Sequence, residues 1–273
     1  MFGQNPKRAA IFNDGTSLEI KSIFKTIQGE GPFVGMPAVF IRLGGCNLAC
    51  NFCDTDFEDF NILTINNIIE EIKKLTINIR PLRKLAYAEE FEGDAERRTT
   101  AYSNVCEDSS TASLSKLPAK VEFPKRSIKL VVITGGEPFR QPIELLCHKL
   151  IDLDYIVQIE TNGTLYREIP DKVHIVCSPK AGKNRATKNG YSLLRNDLLS
   201  RINAIKFLVA KNIPEYSNIP EVGQSKYNIP VFIQPMDQNN PLLNKENEQL
   251  AIDLALKYGY RLSIQIHKIL GID

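Results

Sequence analysis

The sequence predicts an α/β fold built around a parallel β-sheet. Short runs rich in isoleucine, valine and leucine recur along the 273-residue chain, and segments with an amphipathic helical pattern separate several of them. Nearly continuous apolar strands joined by crossovers are typical of a parallel sheet that is covered on both faces. The predicted architecture is therefore an α/β barrel or an open α/β sheet.

The individual elements follow from periodicity and from turn residues. The run PAVFIRL (37–43) predicts a strand that ends at Gly44 and Gly45. Further strands are predicted at 128–134, 155–161, 173–178, 204–210, 230–236 and 261–267. Thr64 is a candidate N-cap for a helix over 64–75, in which isoleucines recur with a 3.6-residue period. Two more helices are predicted, at 142–153 and 245–258.

Composition limits the kind of partner. The chain has 34 basic and 32 acidic side chains, a formal net charge of +2, so no overall field attracts nucleic acid or an anionic membrane. No stretch approaches the roughly 18 to 20 apolar residues that span a bilayer, and the first residues lack the apolar segment of a signal peptide. We therefore expect a cytoplasmic protein with a small-molecule partner, and a single domain over residues 1–273.

One segment departs from the α/β pattern. Residues 84–124 are rich in charged side chains, serine and threonine, without a sustained apolar period. We interpret this segment as a surface insertion, either a lid or partner-binding loop, or an insertion that the fold merely tolerates. Cys106 lies inside it and is not an expected metal ligand.

Three cysteines, Cys46, Cys50 and Cys53, lie on the loop that follows the strand at 37–43. Three thiolates can hold a cubane iron–sulfur cluster and leave one iron open for another ligand. Structural zinc usually takes four protein ligands, and the candidates for a fourth are Cys147, Cys177 and His174. The adjacent Asp54, Thr55 and Asp56 offer hard oxygen ligands, which suit Mg²⁺.

Polar residues follow the ends of several predicted strands. They are TGGEP (134–138), ETNG (160–163), SPK (178–180), Gln234 and His267. Because ligands bind at the carboxyl ends of the strands in parallel α/β folds, we expect these residues to share one site.

The cysteine spacing C-x3-C-x2-C, with Phe52 before the last cysteine and GGEP at 135–138, resembles the radical S-adenosylmethionine superfamily. Within it, the chain resembles the 7-carboxy-7-deazaguanine synthase family of queuosine and 7-deazapurine biosynthesis. This resemblance rests on FKTIQGEGPFVGMPAVFIRLGGCNLACNFCDTDF (24–57), on TGGEP, ETNGT and SPK in that order, and on the tail SIQIHKILGID. It implies a modified, incomplete (β/α)6 barrel, a parallel sheet with few covering helices.

The resemblance also implies a reaction. A [4Fe-4S] cluster would bind S-adenosylmethionine at its open iron, and one electron would cleave the sulfonium. The resulting 5′-deoxyadenosyl radical would abstract hydrogen from C6 of 6-carboxy-5,6,7,8-tetrahydropterin, after which the ring contracts and ammonia leaves. The implied partners are a one-electron donor such as flavodoxin or ferredoxin and a second copy of the chain in a homodimer.

Roles for individual residues are implied by the same resemblance. The cluster would be held by Cys46, Cys50 and Cys53, and Mg²⁺ by Thr55. The cofactor would contact Phe52, Cys53, Asp54, Gly136, Ser178, Pro179 and Lys180, with Gly136 allowing close approach of the backbone. The substrate would contact Ile27, Gln28, Gly29, Arg42, Thr134, Glu160, His267 and Asp273, the last through the terminal carboxylate.

Two alternatives remain at this point. One is an activase of a glycyl-radical enzyme from the same superfamily, against which Thr55 and the IQG segment argue. The other is a zinc-stabilised binding module without catalysis, which metal analysis would distinguish from a cluster protein.

Overall fold

The computed structural model describes residues 5–76, 128–182, 190–191 and 193–272. They belong to one of the two units into which the chain divides, Met1–Thr76 with Ile128–Asp273. The predicted insertion at 84–124, its Cys106, and the terminal Asp273 lie outside the described residues.

Within the described residues, nine strands form a single, mostly parallel sheet. They are β1 (Ser17–Ile27), β2 (Pro37–Leu43), β3 (Asn61–Thr64), β4 (Leu130–Gly135), β5 (Ile156–Thr161), β6 (His174–Cys177), β7 (Ala204–Val209), β8 (Val231–Pro235) and β9 (Arg261–Leu262). Their order is β3-β1-β2-β4-β5-β6-β7-β8-β9. All pairs from β2 to β9 are parallel, whereas β1 is antiparallel to both of its neighbours. The predicted parallel sheet is confirmed, and the sequence analysis missed β1 and β3.

The described helices are α1 (Ile65–Thr76), α2 (Glu144–Asp152), α3 (Asn196–Leu199), α4 (Pro241–Tyr258) and α5 (Ile266–Leu270). The helix predicted after Thr64 is confirmed, and the Thr64 hydroxyl accepts a hydrogen bond from the Asn67 amide at 3.3 Å. Helix α4 begins four residues earlier than predicted because Asn240 caps it, accepting from the amides of Leu242 and Leu243. Within the described residues, no helix has the length and apolar character that crossing a membrane requires.

The two faces of the sheet have different surroundings. Residues such as Ile41 and Ile133, which are register partners, are fully buried and pack in the same core as the isoleucines of α1. Helices α2 and α4 bury their apolar residues on this same face. The opposite face lines a cavity through residues such as Thr134 and Leu208. Helices α1, α2 and α4 therefore cover one face of the sheet, and α5 lies beside the cavity on the other.

The C-terminal region differs from its prediction. A strand was expected over 261–267, but pairing with β8 ends at Leu262, and His267 lies in α5. Strand β8 ends in Pro235, which has no amide hydrogen with which to extend the ladder. Gly271 then ends α5 in the left-handed conformation, at φ 63°. The alternating apolar pattern of SIQIH misled the sequence analysis.

Candidate active site

A cavity lies on the face of the sheet opposite α1, α2 and α4, at the carboxyl ends of the parallel strands, and α5 contributes to its lining. The predicted site residues that line it are Ile27, Gln28, Arg42, Cys46, Cys50, Phe52, Cys53, Asp54, Thr55, Thr134, Gly136, Glu160, Ser178, Lys180 and His267. Gly29 lies behind this surface, where a β-carbon would meet the Nδ1 atom of His267 at 2.4 Å. Pro179 is buried beside the lining residues. The fold therefore brings most of the predicted residues to one cavity.

The cysteine loop forms one wall of this cavity. Cys46 is buried, whereas Cys50 and Cys53 are half-buried, and the Leu48 amide donates to the Cys46 sulfur at 3.5 Å. Across the described part of the chain, no three His, Cys, Asp or Glu side chains are grouped closely enough to hold one metal ion. A cubane cluster instead distributes its thiolates over separate irons. Three cysteines facing a shared cavity therefore fit a cluster better than a single ion.

Burial affects the protonation of these thiols. It raises the pKa of Cys46 to about 11, and it also raises the pKa of Cys53 above the usual value. Metals bind the thiolate form. Cluster loading must therefore displace protons that the buried cysteines otherwise retain.

The turn after β4 packs tightly against the cysteine loop. The Glu137 amide donates to the Gly45 carbonyl at 3.2 Å, and the Gly136 amide donates to the Leu43 carbonyl at 3.1 Å. A β-carbon at Gly136 would lie 1.7 Å from the Gly45 oxygen. Contact between the two loops thus by itself requires glycine at 136, and the close approach of the cofactor to Gly136 stays a prediction.

Glu137 joins the ends of β4 and β5, a role that the sequence analysis did not assign. Its buried carboxylate accepts from the Thr161 hydroxyl at 2.6 Å, the Asn162 amide at 2.7 Å and the Phe139 amide at 3.1 Å. Burial raises the pKa of Glu137 to about 7, although all three donors favour the charged form. The Asn162 side chain donates onward to Asn47 at 2.9 Å, which connects this network to the cysteine loop.

Glu160, which lines the same cavity, is the centre of a second polar group. Its carboxylate accepts from the side-chain amide of Gln28 at 3.0 Å and from the hydroxyl of Thr134 at 3.2 Å. Arg42 is the register partner of Thr134 on the neighbouring strand, and its guanidinium lies 5.0 Å from the ring centroid of Phe24. Acceptors and donors therefore converge on one region.

A buried ion pair between Lys206 and Glu30 lines the same cavity. Their side chains are 10% and 11% exposed, and Glu30 also accepts from the amides of Gln265 at 2.9 Å and Gln234 at 3.2 Å. Burial alone would lower the pKa of Lys206, but the charges of Glu30 and Glu160 outweigh it and hold that pKa above the usual value. The sequence signal was a lysine inside the apolar run AIKFLV, which the sequence analysis passed over.

Lys180 and Ser178 are adjacent in the cavity wall. The ammonium of Lys180 donates to the carbonyl of Ser178 at 2.6 Å and to its hydroxyl at 2.7 Å. Burial lowers the pKa of Lys180, and the nearby Cys50 opposes that shift. The lysine is thereby directed along the cavity wall that faces the cysteine loop.

Lys268 bridges two carboxylates at the cavity rim. Its ammonium lies 2.8 Å from Asp237, two residues after β8, and 3.2 Å from Asp54, on the cysteine loop. Burial would raise the pKa of Asp237, but hydrogen bonding to Lys268 and other donors lowers it to about 2. Lys268 therefore ties α5 to both sides of the site.

Proteins named 7-carboxy-7-deazaguanine synthase resemble this chain along its whole length. The relative from Rickettsia prowazekii is 53% identical over 273 residues, which cover 100% of this chain and 96% of the relative. The relative from Rhodospirillum rubrum is 34% identical over 291 residues and covers both proteins completely. The chain belongs to the 7-carboxy-7-deazaguanine synthase family.

The fold agrees with this family. The crystal structure of QueE from Escherichia coli matches with a TM-score of 0.58 and 20% identity, covering 91% of this chain and 94% of that chain. This match confirms the α/β fold with an incomplete barrel and few helices. No model of a protein family matches the chain. Membership in the 7-carboxy-7-deazaguanine synthase family makes the chain an enzyme, in agreement with the predicted radical S-adenosylmethionine lyase.

In this member of the 7-carboxy-7-deazaguanine synthase family, an N-terminal segment holds the cysteine loop from behind. The Asn5 amide donates to the Thr55 carbonyl at 2.7 Å and its oxygen accepts from the Phe57 amide at 2.8 Å. The Arg8 amide donates to the Cys46 carbonyl at 2.8 Å, and its guanidinium pairs with Glu58. No sequence motif marked this segment, because its contacts join residues far apart in the chain.

Proposed function

We propose that the chain converts 6-carboxy-5,6,7,8-tetrahydropterin to 7-carboxy-7-deazaguanine with loss of ammonia, in queuosine and 7-deazapurine biosynthesis. The observation that carries this proposal is the pairing of two walls in one cavity. A loop with three cysteines forms one wall, and the polar group around Glu160 forms the other.

The cysteine wall fits the cofactors that the family requires. Cys46, Cys50 and Cys53 would hold a [4Fe-4S] cluster, because they supply three thiolates on a loop that is open to the cavity. S-adenosylmethionine would contact Phe52, Asp54, Gly136, Ser178, Pro179 and Lys180. When bound, these two groups would supply the radical that removes hydrogen from the substrate. The protein would contribute the orientation of both molecules.

The opposite wall fits a heterocycle that carries a carboxylate. The Glu160 carboxylate can accept hydrogen bonds from ring N–H groups, and the Gln28 amide can both donate and accept. The forked donors of Arg42 match the two oxygens of a carboxylate. We propose that Ile27, Gly29, Thr134, His267 and Asp273 also contact this substrate. Such a site would reject analogues that leave its buried polar groups unpaired.

Thr55 would bind Mg²⁺ together with oxygen atoms of the substrate. Its hydroxyl lines the cavity and donates to the Asp54 carboxylate at 3.1 Å. A cation here would orient the substrate carboxylate and stabilise charge that develops during ring contraction. We also propose a homodimer that receives electrons from flavodoxin or ferredoxin.

The test is anaerobic reconstitution with iron and sulfide, followed by assay with S-adenosylmethionine, a reductant and the tetrahydropterin. We expect the visible absorption of an iron–sulfur cluster and a product with the mass of the deazapurine. An intact cluster without product would refute the proposed reaction. One bound zinc and no iron would instead support the zinc-stabilised binding module.

Two substitutions separate the roles of the metal ligands. Cys50→Ala should abolish the cluster and turnover together, because two thiolates cannot hold the cubane in place. Thr55→Ala should retain the cluster spectrum and lose the stimulation by Mg²⁺. If the response to Mg²⁺ survives in Thr55→Ala, this ligand assignment is wrong.

A further inference from the structure

Gln158 lies on β5, two residues before Glu160 and on the same side of the sheet. Its register partners are Val132 on β4 and His174 on β6. The side chain is completely buried, and it is not part of the cavity lining, whereas Glu160 is. Gln158 therefore does not reach the cavity itself and can act on the site through Glu160.

The amide of Gln158 has one satisfied end and one unsatisfied end. Its Nε2 donates to Oε1 of Glu160 at 3.1 Å. Its own Oε1 is buried without a hydrogen-bond partner in the part of the chain that the structure describes. The opposite orientation would place the amide oxygen against the carboxylate, so the nitrogen must face Glu160. A buried acceptor without a partner costs stability, and an apolar side chain of similar size would avoid that cost.

Three side chains among the described residues donate to Glu160, and they differ in their freedom to respond to a ligand. Gln28 and Thr134 both line the cavity, so a bound molecule can draw them away from the carboxylate. Gln158 is enclosed in the sheet and has no such alternative. We therefore expect its hydrogen bond to persist when a molecule fills the cavity.

We propose that Gln158 is a positioning residue, which holds the Glu160 carboxylate in the orientation that accepts N–H groups of the substrate. This inference rests on the proposed function, because Glu160 is there a substrate contact. It explains why a polar side chain occupies a position where its own oxygen is left unpaired. The unpaired oxygen lowers the stability of the fold, whereas the hydrogen bond to Glu160 strengthens substrate binding.

The experiment compares Gln158→Leu with a matched control, Gln224→Leu, in the reconstituted enzyme. Gln224 is also a buried glutamine, but both ends of its amide are satisfied, by the Val222 amide and the Pro220 carbonyl at 2.7 Å each. Removing it leaves two buried backbone groups unpaired. We therefore expect Gln224→Leu to lower Tm and to leave the KM for the tetrahydropterin unchanged.

For Gln158→Leu we expect the reverse pattern. Tm should be equal to or higher than that of the wild type, and cluster content should be unchanged. The KM for the tetrahydropterin should rise about tenfold, with a smaller effect on kcat, as expected when a hydrogen bond that supports ground-state binding is lost. Gln158→Met, which preserves the length of the side chain, should give the same result and serves if the leucine variant fails to fold.

A lower Tm with an unchanged KM in Gln158→Leu and Gln158→Met would overturn the inference and leave Gln158 a structural residue. Absence of product from the wild-type enzyme would instead overturn the proposed function. Because the wild type and the variants are assayed together, the two failures are distinguishable.

Discussion

The buried ion pair between Lys206 and Glu30 makes a quantitative prediction. Lys206→Met keeps most of the apolar stem of the side chain and leaves the Glu30 carboxylate buried without its cation. Breaking a buried pair in this way costs about 3 to 5 kcal/mol of unfolding free energy. Gln234 and Gln265 still donate to the carboxylate, so we expect the lower end of that range. For a protein of this size, the corresponding decrease in Tm is about 6 to 12 °C.

The dependence on pH follows from the sign of the pKa shift. In the wild type, burial acts to raise the pKa of Glu30, but the charge of Lys206 outweighs it and the pKa lies below the usual value. This group therefore stabilises the fold above its unfolded pKa and loses that contribution as the pH falls through its folded pKa. In Lys206→Met, burial dominates and raises the pKa of Glu30, so acidification protonates the carboxyl and relieves the penalty. The difference in Tm between wild type and variant should therefore become smaller as the pH falls from about 8 to about 5.

Thermal unfolding of the reconstituted protein under anaerobic conditions measures both effects. The double substitution Glu30→Gln with Lys206→Met should recover most of the lost stability, because no uncompensated charge remains. Lys74→Met is the control, since Lys74 forms an exposed pair with Glu71, for which a change within about 0.5 kcal/mol is expected. The reasoning is refuted if Lys206→Met behaves like Lys74→Met, or if its deficit in Tm does not change with pH.

Three further predictions concern the cysteine loop and the rim. Asn5→Ala should speed cluster loss to a chelator, because it removes both hydrogen bonds behind the loop at about 1 kcal/mol each; Asn5→Asp, which keeps only the acceptor, should be intermediate, and equal rates would contradict this. Gly136→Ala should prevent stable cluster incorporation, measured as iron content, since its β-carbon would meet backbone atoms; Gly29→Ala, which would meet a side chain, should retain the cluster. Lys268→Ala should speed amide hydrogen exchange in α5 but not in α4. An equal change in exchange rate in the two helices would show that the rim contacts do not hold α5.

The strands that sequence reasoning located are those with continuous apolar runs. Strand β1 was missed because its register shifts between Ile20 and Ser22, which interrupts the alternation of buried and exposed residues. The end of β9 was predicted wrongly, because the pattern at 261–267 does not reveal that its neighbour ends in proline. In both cases the deciding information lies in the pairing partner.

The same distinction applies to the candidate site. Residues that follow strands could be predicted to converge, because parallel strands end at one edge. The roles of Lys206 and Gln158 could not be predicted in this way, because both residues lie within strands. Lys206 acquires its role by pairing with Glu30 on another segment, and Gln158 by donating to Glu160 two positions further along β5. The support from Asn5 depends on contacts about fifty positions away in the chain, for which no local pattern exists.

The partners of Glu30 also imply an order of assembly. Asn5, Gly136 and Asn162, which hold the cysteine loop from behind and from the strand ends, all lie in the first two thirds of the chain, and Lys268 adds a later contact to Asp54. Glu30, in contrast, acquires Lys206, Gln234 and Gln265 from progressively later parts of the chain. During synthesis these early segments can thus arrange the thiols before Lys206, Gln234 and Gln265 complete the polar contacts of Glu30. An iron–sulfur cluster delivered to a nascent chain would meet a prepared loop beside a cavity that cannot yet retain its substrate.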